Sequence, residues 1–249
     1  MNDALNRTLA TLPASVEVCL FVSDAHGVIY QHNATTAWPA ASLIKLGIAA
    51  YGHACWLKDS ALLNQQLTLT DEERVGGAGV LRFMATNTYT IGDLLQLMLM
   101  QSDNTATNAL IDCFGLANIN TWLQSHYPGA VLGRRLMQAG AQNTLTAQAG
   151  AQLLAACFKP DDYWAVVQSA LRHQVVQHKL CLATACGEFP VLTTYNKTGE
   201  LAHYEHDAAR FSNGEHWIDC VVLTHYETDR AAAIRYLQAV GRLVATSLC

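Results

Sequence analysis

A chain of 249 residues with 51% hydrophobic and 14% charged residues can bury a large core, so disulfides or a structural metal are not needed for folding. Its net charge of −5 is mild and no Lys/Arg cluster or basic stripe occurs, which argues against a nucleic-acid partner. No apolar run reaches membrane-spanning length, since the nearest, Ser42 to Trp56, carries Lys45 and His53; no membrane partner is expected.

The N-terminus lacks a basic start followed by an apolar run and a small-residue cleavage site, so the expectation is a cytoplasmic protein. A helix is predicted from about Asn2 to Leu12. The alternating stretch SVEVCLFVSD and its return GVIYQHN predict a hairpin with His26-Gly27 at the corner. Pro39 then opens a helix through about Leu57, because proline is tolerated in a first helical turn. The middle of the chain reads as helices. Thr90 caps TIGDLLQLMLMQ with Asp93 three residues on, and Gly115 stops NTATNALIDCFG. LANINTWLQSHY, TAQAGAQLLAACF and DYWAVVQSALRHQ continue the pattern.

Strand signals return in VLTTYNKTGE, AHYEHDAARFS and HWIDCVVLTHY, with Asn213-Gly214 as a turn, and DRAAAIRYLQAVGRLVATSL closes the chain as a helix. The fold class is therefore α+β: an antiparallel sheet built from both ends of the chain, flanked by helices, with an all-α lobe inserted. The expected division of this one domain is an α/β lobe of residues 1–38 and 175–249 and a helical lobe of residues 39–174, with a cleft at the junction. The eight cysteines form no C-x-x-C pair and are read as reduced core thiols.

Three short motifs carry chemistry. In AWPAASLIKLGIAAY, Ser42 and Lys45 share a helical face, and a partly desolvated amine can act as a base toward a hydroxyl. MQSDNTATN places Ser102-Asp103-Asn104 between two helices, and YNKTGEL places Lys197-Thr198-Gly199 on a strand. Each alone is weak; in this order they form the S-x-x-K, S-D-N and K-T-G set. With RVGGAGVLRFM and TATNALIDCFG in support, nearly the whole chain resembles a class A β-lactamase-related serine hydrolase of the penicillin-recognising acyl-serine transferase superfamily.

That resemblance implies a β-lactamase/transpeptidase-like fold and a set of roles. Ser42 would be the nucleophile, Lys45 its base or orienting group, and Ser102 a proton relay to the leaving nitrogen. Lys197 would supply positive potential and hold Ser102. Asn104 would bind a substrate amide, Thr198 a substrate carboxylate, and the backbone N–H groups of Ser42 and Glu200 the oxyanion. Asp103 would tie the inter-helix turn, Asn108 would brace the loop facing the nucleophile, and Gly199 would leave room for substrate against the strand.

The chain departs from hydrolytic β-lactamases in one respect. Their loop glutamate, which activates the deacylating water, has no counterpart, because no Asp or Glu occurs between Asp112 and Asp161. Gln138, Gln142 or Asn143 could hold a water but not take its proton. The expected activity is acyl-enzyme formation on an amide, peptide, ester or β-lactam with poor β-lactam turnover. The alternatives are an acylated sensor or non-catalytic penicillin-binding-like module, and a D,D-peptidase or esterase. The expected partner is a small-molecule or peptide substrate; the oligomeric state is left open. No cofactor is expected, and no metal, since His203 and His206 would point to opposite faces of a strand. Arg210 and Arg230 are candidates for carboxylate binding near the Lys197 strand, although no spacing supports either, and Tyr195, read first as a packing residue, is a candidate cleft wall.

Overall fold

Alternation in the terminal strands divides their side chains between two cores. Val18, Leu20 and Val22 enter one apolar cluster; Cys19 and Phe21, one residue out of phase, enter the other. A strand apolar on both faces must be covered on both. The computed structural model, which describes residues 1–249, shows how.

Five antiparallel strands form the main sheet: β1 (Val16–Asp24), β2 (Gly27–His32), β8 (Thr193–Leu201), β9 (Tyr204–Ser212) and β10 (Trp217–Tyr226), in the order β2-β1-β10-β9-β8. Leu20 pairs with Val222 and Lys197 with Ala208, so β8, the last strand of this sheet to pair, lies at an open edge. One face is covered by α1 (Asn2–Ala10) and α9 (Arg230–Thr246), whose Leu5, Leu237, Val240 and Val244 fill the smaller core. The other face meets the larger core, drawn from α2 (Ile44–Trp56), α3 (Ile91–Met100), α4 (Asn104–Phe114), α5 (Leu116–His126), α6 (Ala147–Ala156) and α7 (Asp162–Arg172). Helix α6 lies on the sheet itself: a methyl on Gly150 would stand 3.2 Å from Val221 Cγ1. No helix is long and apolar enough to cross a membrane.

Several small elements carry no sequence signature. β3 (Trp38–Pro39), β6 (Ala130–Val131) and β7 (Thr144–Leu145) form a three-stranded sheet in the order β3-β7-β6; β4 (Gln66–Thr68) pairs with β5 (Thr88–Thr90), and α8 (Leu182–Ala185) is a single turn.

The helix expected to begin at Pro39 begins later. Pro39 is instead in β3, a 3₁₀ turn spans Ala41–Leu43, and α2 starts at Ile44. Tertiary contacts hold the entry extended: His206 Nε2 donates to Pro39 O at 2.9 Å, and Ala40 N–H donates to Asn143 O at 2.8 Å. The reading of the cysteines as core thiols also needs correction. Cys19, Cys157, Cys181 and Cys220 are buried, but Cys113, Cys186 and Cys249 are exposed and Cys55 is half-buried.

Candidate active site

The S-x-x-K segment folds into a tight turn because its backbone is pinned. Ala41 has φ +47°, a left-handed value that costs a non-glycine residue energy unless neighbours enforce it. The next residue, Ser42, sits on the 3₁₀ turn and lines a cleft of about 230 Å³. Lys45, three residues on, lies in the first turn of α2.

Lys45 is fully buried. Its Nζ meets Ser102 Oγ at 3.1 Å, Ser102 O at 2.5 Å and Asn104 Oδ1 at 3.0 Å. Lys197, equally buried, meets the same Ser102 Oγ at 3.0 Å and Thr198 O at 2.9 Å. Two amines thus converge on one hydroxyl, one from α2 and one from β8. Like charges so close do not both ionise cheaply. Burial lowers Lys45 well below an ordinary lysine, and the charge of Lys197 lowers it further, against the opposing pull of Asp103. Burial brings Lys197 down to about 7, with Asp207 pulling upward and Lys179 downward. Ser102 itself has φ +53°, which aims its hydroxyl between the amines.

Asp103 and Asn104 fix the third wall. Asp103 Oδ1 caps α4 through Ala106 N–H at 2.9 Å, and its Oδ2 accepts from Val80 N–H at 2.6 Å and Leu81 N–H at 2.8 Å. Asn104 Nδ2 donates to Gly76 O at 3.1 Å. The S-D-N turn therefore holds the 76–81 loop, and Gly77 and Ala78 of that loop line the cleft. Both were missed as site residues. The glycine-rich RVGGAG was the available signal: any Cβ on Gly77, at φ +82°, would stand 2.6 Å from Asn104 Nδ2.

The last wall is the edge of β8. Thr198 and Glu200 share one face of it and line the cleft. Leu201 and Tyr204 flank a two-residue turn and so form a hydrogen-bonded pair; alternation then turns the N–H groups of Thr198 and Glu200 off the sheet edge. Gly199 has a different reason from the one expected. A methyl there would lie 3.1 Å from Ala41 Cβ and 3.3 Å from both Ala40 O and Leu43 N, so the space belongs to the turn that carries Ser42.

The model of the beta-lactamase enzyme family matches residues 2–248. The chain belongs to the beta-lactamase enzyme family. Among solved structures, a β-lactamase from Sphaerobacter thermophilus is 24% identical with a TM-score of 0.85, covering 99% of this chain and 98% of that one. PBP-A is 20% identical with a TM-score of 0.85, over 99% and 96% of the two chains. The class A β-lactamase from Mycobacterium abscessus is 20% identical with a TM-score of 0.82, over 98% of each chain. These likenesses establish the fold. No curated protein matches the chain by sequence.

Within this family fold, residues 133–143 form the loop across the cleft, and its bracing is polar but uncharged at the cleft. Asn143 Oδ1 accepts from Gly133 N–H at 2.8 Å and Arg134 N–H at 2.9 Å; Asn108 exchanges two hydrogen bonds with the backbone of Leu136, at 2.8 and 3.0 Å. Leu136 and Met137 face the cleft from this loop.

Other sequence candidates have structural duties. Arg210 forms a bidentate pair with buried Asp219, at 2.6 and 2.7 Å, between the rings of Phe158 and Trp217, so it is not available to a substrate carboxylate. Arg230 pairs with Glu205 at 2.5 Å. Tyr195 packs edge-on against Phe158 and does not line the cleft. His206 accepts Thr224 N–H on Nδ1 at 3.2 Å, which leaves the proton on Nε2 for Pro39 O. No group of three or more His, Cys, Asp or Glu side chains is arranged to hold a metal.

Lys179 was not anticipated. It is fully buried behind the β8–β9 hairpin, 2.7 Å from Glu205 Oε2 and 3.0 Å from Glu200 Oε1. Nothing in QHKLCL marks it.

Proposed function

We propose that the protein is a serine hydrolase that forms an acyl-enzyme on Ser42 with an amide, peptide, ester or β-lactam, and that it clears β-lactam adducts slowly. The observation that carries this reading is the convergence of Lys45 and Lys197 on Ser102 Oγ, at 3.1 and 3.0 Å, at a cleft that Ser42 and Ser102 both line. Ser42 Oγ attacks the substrate carbonyl, forming a C–O bond while its proton passes to Lys45 Nζ, whose depressed pKa suits a base. The N–H groups of Ser42 and Glu200 meet the oxyanion. The bond to the leaving group breaks, and Ser102 relays a proton onto it, resupplied by either lysine. Asn104 and Thr198 position the substrate. Water then attacks the Ser42 ester, releasing the acid and restoring the hydroxyl.

That last step lacks help in this chain. Leu136 and Met137 occupy the loop where a carboxylate base would be needed. A PBP-A mutant related in fold, 19% identical with a TM-score of 0.83 over 98% of this chain, is known as an acyl-enzyme complex with penicillin G. The test is intact mass over time with benzylpenicillin. The wild type should gain one adduct that persists after free drug is removed, and Ser42→Ala should gain none. Absence of any adduct with penicillin and with a fluorophosphonate would sink the enzymatic reading. Rapid recovery of free protein would sink the slow-clearance part.

A further inference from the structure

Resting on the acyl-enzyme reading of Ser42, we infer that His206 is a positioning residue for acylation: it fastens the turn that carries Ser42 to the β8–β9 hairpin that carries Glu200, and so sets the spacing of the two oxyanion N–H groups. His206 is fully buried and is paired with Gly199 in the β8–β9 register. Directly paired residues on neighbouring strands project to the same face of a sheet. Both therefore face the Ser42 turn. At Gly199 the missing side chain lets that turn approach, since a Cβ there would stand 3.3 Å from Ala40 O and from Leu43 N. At His206 the ring reaches the same segment, and its Nε2 donates to Pro39 O at 2.9 Å.

A neutral imidazole suits this duty because it offers one donor and one acceptor on a rigid ring. Nδ1 accepts Thr224 N–H from β10 at 3.2 Å, which fixes the ring plane and leaves the proton on Nε2. Burial lowers His206 to about 4, against the pull of the Pro39 bond and with the Lys179 charge adding, so the ring is neutral where the enzyme would work. The backbone of the same strand pair is also held: Lys179 Nζ donates to His206 O at 3.3 Å and to Gly199 O at 3.4 Å. On the turn, the next residue is tied separately, Ala40 N–H donating to Asn143 O at 2.8 Å. Ala41, at φ +47°, stands between these anchors and Ser42. A left-handed alanine persists only while its surroundings hold it. Without the Pro39 bond the turn can relax and carry Ser42 away from Glu200, which directly follows Gly199 on the hairpin.

The experiment measures the rate of Ser42 labelling by a fluorophosphonate, read by intact mass, beside the Tm of each variant. His206→Asn keeps an acceptor for Thr224 N–H but is too short to reach Pro39 O; His206→Gln returns an amide N–H close to the place of Nε2. The Asn variant should label about 10-fold more slowly and the Gln variant within about 3-fold of wild type, as expected for a nucleophile displaced by several tenths of an ångström and then largely restored. Val240→Ala, in the smaller core, should lower Tm and leave the labelling rate unchanged. In the wild type, nitrogen-15 NMR of the imidazoles should show His206 as the Nε2–H tautomer, unchanged between about pH 8 and 5. Labelling of His206→Asn at the wild-type rate overturns the inference, as does a Gln variant no faster than Asn, or a Val240→Ala variant slowed as much. An Nδ1–H or charged ring overturns it even if neither His206 variant folds. A wild type that labels while ignoring His206→Asn defeats the positioning role alone; a wild type that does not label defeats the acyl-enzyme reading and the positioning role with it.

Discussion

Replacing Gly199 by alanine should slow acylation and lower stability together. The added methyl would stand 3.1 Å from Ala41 Cβ, 3.3 Å from Ala40 O and 3.3 Å from Leu43 N. These atoms flank Ser42 on the pinned turn, and none is the end of a flexible side chain, so the turn or β8 must withdraw by a few tenths of an ångström. Overpacking of this kind costs about 1–3 kcal/mol, and the smaller unfolded-state entropy of alanine returns up to about 1 kcal/mol. The net loss is about 0–3 kcal/mol, a fall in Tm of up to about 12 °C for a chain of this size. A displacement of about 1 Å costs on the order of 100-fold in rate, so a few tenths should cost about 3- to 10-fold. The assay pairs thermal unfolding with the rate of fluorophosphonate labelling, a probe too small to depend on the length of the strand edge. Unchanged Tm and labelling with a raised KM for a larger ester would refute the argument, because the space at Gly199 would then belong to substrate.

Lys179→Met should destabilise by about 3 kcal/mol in urea unfolding, because it strips one partner from a buried carboxylate, Glu205, while Arg230 remains on it; adding Glu205→Gln should restore part of the loss, and a neutral single variant would show the pair to be idle. The acylation rate should rise with pH and level off well below the range where an ordinary lysine titrates, since burial favours the free amine of Lys45; a rate that falls as pH rises through neutrality would contradict Lys45 as the base. The stability contribution has the same sign. With Lys197 titrating at about 7 folded and 10.5 unfolded, the unfolded chain binds more protons between those values, so stability should rise with pH across that window, and Lys197→Met should flatten the slope.

Much of the site was legible because its chemistry is written in residue types at fixed short spacings. Ser42 and Lys45 are three apart, Ser102 to Asn104 are contiguous, and Lys197 to Glu200 lie on one strand. The antiparallel sheet built from both ends of the chain was legible for a similar reason: β1, β9 and β10 are short strand-forming runs bounded by turn residues, a local property of the sequence, whereas their burial on both faces was not read from it. The two-residue strands β3, β6 and β7 were not, since so short a segment carries no period.

Ala41 and Ser102 show the limit most clearly. Neither residue type announces a positive φ, and each lies beside a bond to a segment distant in sequence, Ala40 N–H to Asn143 O and Asn104 N–H to Ala78 O. The sequence alone determined which groups are present, including the lack of any acid from Cys113 to Pro160. Tertiary structure alone decided that two lysines share one hydroxyl, that Lys179 is buried against Glu200 and Glu205, and that Arg210 is spent on Asp219. The physical reason is that burial and pairing, which set the charge of an amine or carboxylate, depend on segments that meet only when the chain has folded.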